Sequence, residues 1–231
     1  MSQASAGPDA GGPGDEPGSG LRALVEVMDR LRSPDGCPWD AEQTHRSLVP
    51  YVLEEAHEVA EAIEQRDRAG MREELGDLLL QVVFHARIAE EDPDDPFDVD
   101  DVARGITAKL VRRHPHVFAD ASGAGSLEDL HVQWDRIKAE EKRRASVLDG
   151  IPATLGAVAR AQKVVGRARR SGHGDLVSAD ARARAESLGE RLLDLVAEAQ
   201  AAGVDAEQEL RAATRELESR VRGAEARRPQ T

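Results

Sequence analysis

The stretch MREELGDLLLQVVFHARIAE, residues 71–90, decides the fold class. Its apolar side chains recur at helical spacing and surround the axis on nearly every side, which is typical of a buried helix. Asp67 stands where a helix N-cap is preferred, and the acidic, proline-containing loop 91–96 ends the segment. Glu74 and Asp77 are among the few polar residues that interrupt this apolar run.

The remaining segments with helical periodicity extend this pattern to the whole chain. Aromatic residues make up only 3% of the sequence, and no segment shows the alternation of a β-strand. We therefore predict an all-α helical bundle, with a loop at 37–40 and helices at about 21–32, 50–65, 71–90, 99–113, 126–144 and 154–170. Further helices fill 179–222, with breaks near Gly172 and Gly203.

Composition limits the classes of partner. Forty-four acidic residues against 31 basic ones give a formal net charge of −13, which argues against binding to nucleic acid or to an anionic membrane. Cys37 is the single cysteine, so an internal disulfide is excluded. Without a transmembrane run or a signal peptide, we predict a cytoplasmic protein.

The predicted chain consists of a disordered tail (1–20), a helical domain (21–150) and a helical C-terminal region (151–231).

Two acidic residues of the second predicted helix are placed unlike ordinary surface acids. Successive helical residues are rotated by about 100°. On that scale Glu55 falls inside the apolar stripe and Glu58 lies at its edge, where the stripe consists of Leu48, Val52, Val59 and Ile63. Because burying an unpaired carboxylate costs several kcal/mol, Glu55 needs a partner, a proton or a metal ion.

The same separation recurs on the third predicted helix. Glu74 and Asp77 are three residues apart, as Glu55 and Glu58 are, so two adjacent antiparallel helices bring both pairs face to face. Four converging carboxylates repel one another unless hard cations neutralise them. Oxygen ligands favour Mg²⁺, with Mn²⁺ as a substitute, over zinc.

Cations and tryptophans in other segments allow two interpretations each. The fourth predicted helix ends with Lys109, Arg112 and Arg113, which either stabilise the helix end or hold phosphate oxygens. Trp134 and Lys138 share a helix face four residues apart. The two tryptophans of the chain, Trp39 and Trp134, are either core residues or stacking surfaces for a base.

Five segments taken together carry a family resemblance: GCPWD (36–40), LEEAHEV (53–59), EELGDLLLQVVFHA (73–86), KLVRRHPHVF (109–118) and WDRIKAEEK (134–142). In this order they resemble the MazG family of all-α nucleoside triphosphate pyrophosphohydrolases. The resemblance covers roughly residues 21–170. It implies a homodimer that hydrolyses nucleoside triphosphates to monophosphates and pyrophosphate with Mg²⁺.

The resemblance also implies roles for individual residues. It implies that the metal ligands are Glu55, Glu58, Glu74 and Asp77. It implies that phosphates or base are contacted by Lys109, Arg113, Trp134 and Lys138, to which we add Arg112 and Trp39 as candidates. For ordering or deprotonating the attacking water, Glu54 and Glu73 remain open alternatives.

The C-terminal third departs from the family pattern, in which many members carry a second copy of the module. The segment ESLGE (186–190) is similar to EELGD, but Ser187 occupies a ligand position and Glu190 replaces the aspartate. We therefore predict a degenerate second module without an active site, which serves packing or assembly.

Two rival functions remain open. A di-iron carboxylate bundle needs Glu-x-x-His motifs, and Glu54 with His57 or Glu128 with His131 has that form. His57 lies about 200° of rotation from Glu55, however, and so is expected to point away from the metal. The second rival is a non-catalytic helical dimerisation protein derived from this family. The preferred base and sugar are left open.

Overall fold

The computed structural model describes residues 18–118, 146–177 and 187–227. These ranges contain helices and no β-strand, which confirms the predicted all-α class. The chain divides into two units, residues 1–124 and 125–231, whereas the domain bounds expected from the sequence stay a prediction. Within the described ranges, no helix combines the length and the apolar character needed to cross a bilayer. The helix predicted at 126–144 and most of the predicted tail lie outside the described residues.

The first unit is built around one helical hairpin. Its described helices are α1 (Ser19–Arg32), α2 (Pro38–Glu42), α3 (Val49–Gln65), α4 (Arg68–Ala89), α5 (Val99–Arg113) and α6 (Pro115–Phe118). The bounds of α5 match the prediction, and α4 starts three residues earlier than predicted. The prediction of a loop at 37–40 is wrong, because Pro38 at the first turn of α2 has a φ angle suited to a helix start.

A short turn joins α3 to α4 and makes them antiparallel neighbours. Arg66 ends α3 in the left-handed region, with φ 60° and ψ 28°, and its N–H donates to the carbonyl of Ala62. Asp67 then caps α4 as predicted, since its carboxylate accepts from the N–H of Gly70 at 3.0 Å. The chain therefore reverses within two residues, and the acidic positions of both helices face each other.

The buried core of the first unit lies at the far end of this hairpin from the turn. It consists of Met28, Leu48, Val83 and Phe84, with partly buried Leu24, Val25, Leu31, Leu80, Ile88 and Val99 packed around them. These side chains come from α1, the start of α3, the second half of α4 and the start of α5. The hairpin is thus fixed by its turn at one end and by the core at the other.

Gly36 positions the short helix α2 against the end of α1. A Cβ atom at Gly36 would collide with the carbonyl oxygens of Arg30 and Leu31. The N–H of Cys37 donates to the carbonyl of Leu31 at 2.8 Å, which holds the chain in this close approach. Only glycine fits here without displacing backbone atoms.

The second unit is a smaller group of helices. Its described elements are α7 (Ala157–Arg170), a 3-10 helix (Gly174–Val177), α8 (Leu188–Ala201) and α9 (Ala206–Ala226). Positive φ angles at Gly172 and Gly203 confirm the two predicted breaks. Gln162 of α7 donates to the carbonyl of Val204 at 2.6 Å and accepts from the N–H of Ala206 at 2.8 Å, so it ties α7 to the start of α9.

The hairpin is less buried than its sequence suggests. On α4, Leu75, Leu79 and Val82 are 40–47% exposed, so the prediction of a helix buried on every side is wrong for the single chain. Glu55 and Asp77 are half-buried and Glu58 is exposed, so their predicted placement in a core is wrong as well. The physical reason is that a two-helix hairpin has two apolar faces, and the part of this unit that the structure describes leaves one of them exposed.

Candidate metal centre

Acidic side chains of α3 and α4 converge between the two helices. Carboxylate oxygens of Glu55, Glu58 and Glu74 lie within 4.8 Å of one another. Asp77 does not lie within that distance of all three, yet among the carboxylates its charge raises the pKa of Glu55 most. The structure therefore brings together the two acid pairs that the sequence singled out.

The electrostatics of this cluster favour a cation. Burial raises the pKa of Glu55 above its ordinary value of 4.5, and the charges of Asp77, Glu58 and Glu74 raise it further. Burial likewise raises the pKa of Glu74, followed by the charges of Glu58 and Glu73. Each ionised carboxylate therefore destabilises the next. A divalent ion held by these oxygen atoms would remove that repulsion, and an oxygen-only donor set suits a hard cation.

The two acids considered for water activation stand outside the cluster. Glu54 and Glu73 are both exposed, and each directly precedes a cluster residue in the sequence. Glu73 is close enough to Glu74 to raise its pKa. Both are therefore accessible to solvent beside the carboxylates.

The predicted phosphate-binding cations lie on another helix. Arg112 and Arg113 belong to the last turn of α5, and Lys109 precedes them by one turn. Lys109 and Arg113 are half-buried, whereas Arg112 is exposed. Trp134 and Lys138 lie outside the described residues.

Trp39 lies on the surface near the start of α3. Its side chain is 51% exposed. The ring meets Tyr51 edge to face, with centroids 6.1 Å apart and planes at 85°. Tyr51 was not among the site residues predicted from the sequence, although its position four residues before Glu55 places both on one face of α3.

Comparison with known proteins identifies the family. Residues 43–118 match the MazG nucleotide pyrophosphohydrolase domain. The chain is 48% identical over 212 residues to an uncharacterised 26.1 kDa protein of Streptomyces cacaoi, covering 91% of this chain and 85% of that one. It is 39% identical over 229 residues to the nucleoside triphosphate pyrophosphohydrolase/pyrophosphatase MazG of Thermotoga maritima, covering 91% of this chain and 87% of the relative. The chain belongs to the MazG family.

Other MazG relatives are longer than this chain. The nucleoside triphosphate pyrophosphohydrolase of Escherichia coli K12 is 50% identical over 153 residues, which cover 64% of this chain and 57% of that protein. The matched MazG domain, 43–118, contains both acid pairs and the cations of α5, while Trp39 precedes it. The resemblance read from five motifs is thereby confirmed.

Two further polar groups of this MazG chain were missed by the sequence analysis. The Nδ1 atoms of His45 and His85 are 2.8 Å apart, and their rings stack with centroids separated by 5.1 Å. Burial, then the neighbouring His45, lowers the pKa of His85 below 6.5. Gln81, one turn before His85 on α4, is buried. Neither stands out in a sequence, because each depends on which residues the fold brings beside it.

The two Glu-x-x-His motifs of the di-iron hypothesis do not form part of the described acidic cluster through their histidines. His57 is exposed and contributes no ligand atom to the cluster, and the pair Glu128 and His131 lies outside the described residues.

In the C-terminal region, Ser187 caps α8 by accepting from the N–H of Glu190 at 3.2 Å. The Glu190 carboxylate accepts in return from the N–H of Ser187 at 2.8 Å. This capping box explains the serine and the glutamate without a metal.

Proposed function

We propose that this protein is a Mg²⁺-dependent nucleoside triphosphate pyrophosphohydrolase, which converts a nucleoside triphosphate and water to a monophosphate and pyrophosphate. The observation that carries the proposal is the cluster of Glu55, Glu58 and Glu74 in a MazG chain. The names of the Thermotoga maritima and Escherichia coli relatives support the same reaction. Such an activity would clear nucleotides from the cytoplasmic pool.

The proposed metal ligands are Glu55, Glu58, Glu74 and Asp77, with Mg²⁺ as the ion and Mn²⁺ as its substitute. When bound, the ion supplies positive charge that polarises the α-phosphate and activates water. The oxygen of that water attacks the α-phosphorus, and the bond from this phosphorus to the bridging oxygen of the β-phosphate breaks. Pyrophosphate leaves, and Glu54 or Glu73 takes the proton of the attacking water.

The remaining candidates would hold the substrate. Cations at the end of α5 are placed in the proposal on phosphate oxygens that the metal does not reach, namely Lys109, Arg112 and Arg113. Trp39 and Trp134 are proposed to stack on the base, and Lys138 to contact a phosphate. Each assignment concerns an accessible or half-buried side chain where the structure describes it.

We propose a homodimer on the basis of the apolar face that the hairpin leaves open. Val49, Leu53 and Ile63 follow one face of α3 and are 48–55% exposed. Leu75, Leu79 and Val82 follow one face of α4. Two such stripes on adjacent helices suit a second hairpin of the same kind, since helix pairs bury apolar stripes against each other.

A product assay tests the proposed reaction. The protein is mixed with Mg²⁺ and a panel of nucleoside triphosphates, and the products are separated. We expect monophosphate and pyrophosphate in equal amounts, with no activity when Mg²⁺ is chelated. Glu74→Gln is expected to abolish turnover, whereas Glu61→Gln is the matched control, because Glu61 is an exposed acid of α3 that bonds Gln65 instead. Release of inorganic phosphate instead of pyrophosphate would refute the proposed reaction, and no product from any triphosphate would favour the non-catalytic dimerisation protein.

A further inference from the structure

Gln81 carries a buried polar atom without a partner. Its residue is 7% exposed, and its Oε1 atom accepts no hydrogen bond within the described residues. Leaving a buried carbonyl oxygen unpaired is costly, and such groups are few in folded proteins. An apolar residue at this position of α4 would avoid that cost. The glutamine therefore suggests a partner that arrives from outside the chain.

The register of the hairpin places Gln81 beside the acidic cluster. Glu58 interacts with Glu74, and one turn away Glu55 interacts with Asp77. In antiparallel helices each further turn adds four residues on one helix and removes about four on the other. The next turn therefore sets Gln81 opposite Tyr51, about 6 Å along the axis from the Glu55 layer.

The side chains around this turn are either apolar or already in contact with another residue of the chain. Tyr51 presents its ring to Trp39, and the neighbouring Leu48 is buried and apolar. On the following turn of α4, His85 is paired with His45 at 2.8 Å. Gln81 thus lies one turn from the Glu55 layer of the acidic cluster and one turn from the His45–His85 pair, at the level of Tyr51, whose ring contacts Trp39.

We propose that Gln81 reads the nucleoside part of the substrate, with its Oε1 atom accepting a hydrogen bond from an N–H of the base or a hydroxyl of the sugar. The proposal rests on the proposed function for the position of the phosphates at the carboxylates. A triphosphate held there extends its nucleoside along the hairpin, toward Tyr51 and Trp39. Gln81 is then a specificity-determining residue, because a buried acceptor left unpaired discriminates against a ligand without the matching donor.

The experiment compares Gln81→Met, which keeps the length of the side chain but removes the amide, with Gln65→Met, an exposed control on α3. kcat and KM are measured for ATP, GTP, ITP and their 2′-deoxy forms. We expect Gln81→Met to lower kcat/KM about tenfold for the preferred nucleotide, so that the kcat/KM values of the tested nucleotides become similar. Loss of the ribose preference alone assigns the donor to the sugar, and loss of the base preference assigns it to the base. Mg²⁺ should raise the Tm of the variant as it does for the wild type.

A binding measurement separates this inference from the proposed reaction. Tryptophan fluorescence is titrated with AMP, GMP and IMP in the presence of Mg²⁺. Selective binding that Gln81→Met or Gln81→Asn abolishes supports the role of Gln81 even if the wild type releases no pyrophosphate. An unchanged ranking of nucleotides in both variants, in turnover and in binding, overturns it and leaves Gln81 a structural residue.

Discussion

Replacement of Arg32 by alanine should destabilise the first unit more than any surface arginine would. Arg32 is the last residue of α1, and its side chain is only 4% exposed. Its Nε and Nη2 atoms donate to the two carboxylate oxygens of Glu91 at 3.0 and 2.7 Å. Nη1 donates to the carbonyls of Asp40 and Gln43, and the guanidinium lies 5.6 Å from the ring centre of Phe84.

The expected loss in the free energy of unfolding follows from the groups that lose their partner when Arg32 is replaced. The ion pair alone contributes little, since Glu91 is 44% exposed and partly screened by water. Losing charge-assisted bonds to the carbonyls of Asp40 and Gln43 costs about 1.5–3 kcal/mol. Loss of packing against Phe84 adds to this, so we expect a total of about 3 kcal/mol. At ~4 °C per kcal/mol, the Tm of this unit falls by about 12 °C.

Thermal unfolding followed by circular dichroism measures this effect. Arg30→Ala is the matched control, because Arg30 is an exposed arginine of the same helix, and we expect a change within about 0.5 kcal/mol. Glu91→Gln removes the carboxylate but keeps the bonds from Arg32 to the two carbonyl acceptors. Its loss in the free energy of unfolding should therefore be smaller than that of Arg32→Ala. A loss below about 1 kcal/mol for Arg32→Ala would refute the inference that the Arg32 guanidinium stabilises the first unit through the carbonyls of Asp40 and Gln43.

Three further predictions concern other parts of the first unit. Because the pKa of His85 is lowered in the folded state, protonation of this histidine favours the unfolded chain. The contribution of His85 to the free energy of unfolding is therefore complete above pH 6.5 and is lost as the pH falls below that value. The Tm difference between wild type and His85→Phe should therefore change between pH 7 and about pH 5, and a constant difference would contradict this. Gly36→Ala should lower the free energy of unfolding by about 1–3 kcal/mol in denaturant titrations through its clash with α1, whereas Gly105→Ala, which meets no neighbour, should not. Saturating Mg²⁺ at about 100 times its Kd should stabilise the protein by about 2.7 kcal/mol in calorimetry, and Glu58→Gln should reduce that shift; an equal shift in the variant would remove Glu58 from the ligands.

Local patterns predicted the helices whose ends carry their own signals. Asp67 was predicted as the N-cap of the helix that became α4, and its carboxylate caps that helix in the structure, because this signal depends only on neighbouring residues. The short helix α2 escaped prediction because it spans too few residues for a periodic pattern. Its place is fixed by a close approach of Gly36 to α1, a tertiary contact that no window of sequence contains.

The acidic pairs were predictable for a different reason than the rest of the site. Glu55 and Asp77 stand in otherwise apolar surroundings on their helices, so rotation about each axis was enough to single them out, and Glu58 and Glu74 followed from the shared three-residue spacing and the family resemblance. Gln81 and Tyr51 look ordinary in sequence, because a glutamine within an apolar helix has many explanations. Their significance depends on the register between α3 and α4, which becomes known only when both helices are placed. Burial was overestimated for the same reason, since helical periodicity shows which faces are apolar but not what covers them.

The hairpin explains how a repulsive cluster can persist in a small unit. Like charges at Glu55, Glu58 and Glu74 push α3 and α4 apart and raise the pKa values of Glu55 and Glu74. The helices cannot separate freely, because the turn at Arg66 closes one end and the core around Leu48 and Phe84 holds the other. The repulsion is therefore kept in the folded protein instead of being relieved by movement. The cation proposed here would relieve this repulsion by binding between the helices without reorganising the backbone, which is the condition for a preorganised metal centre.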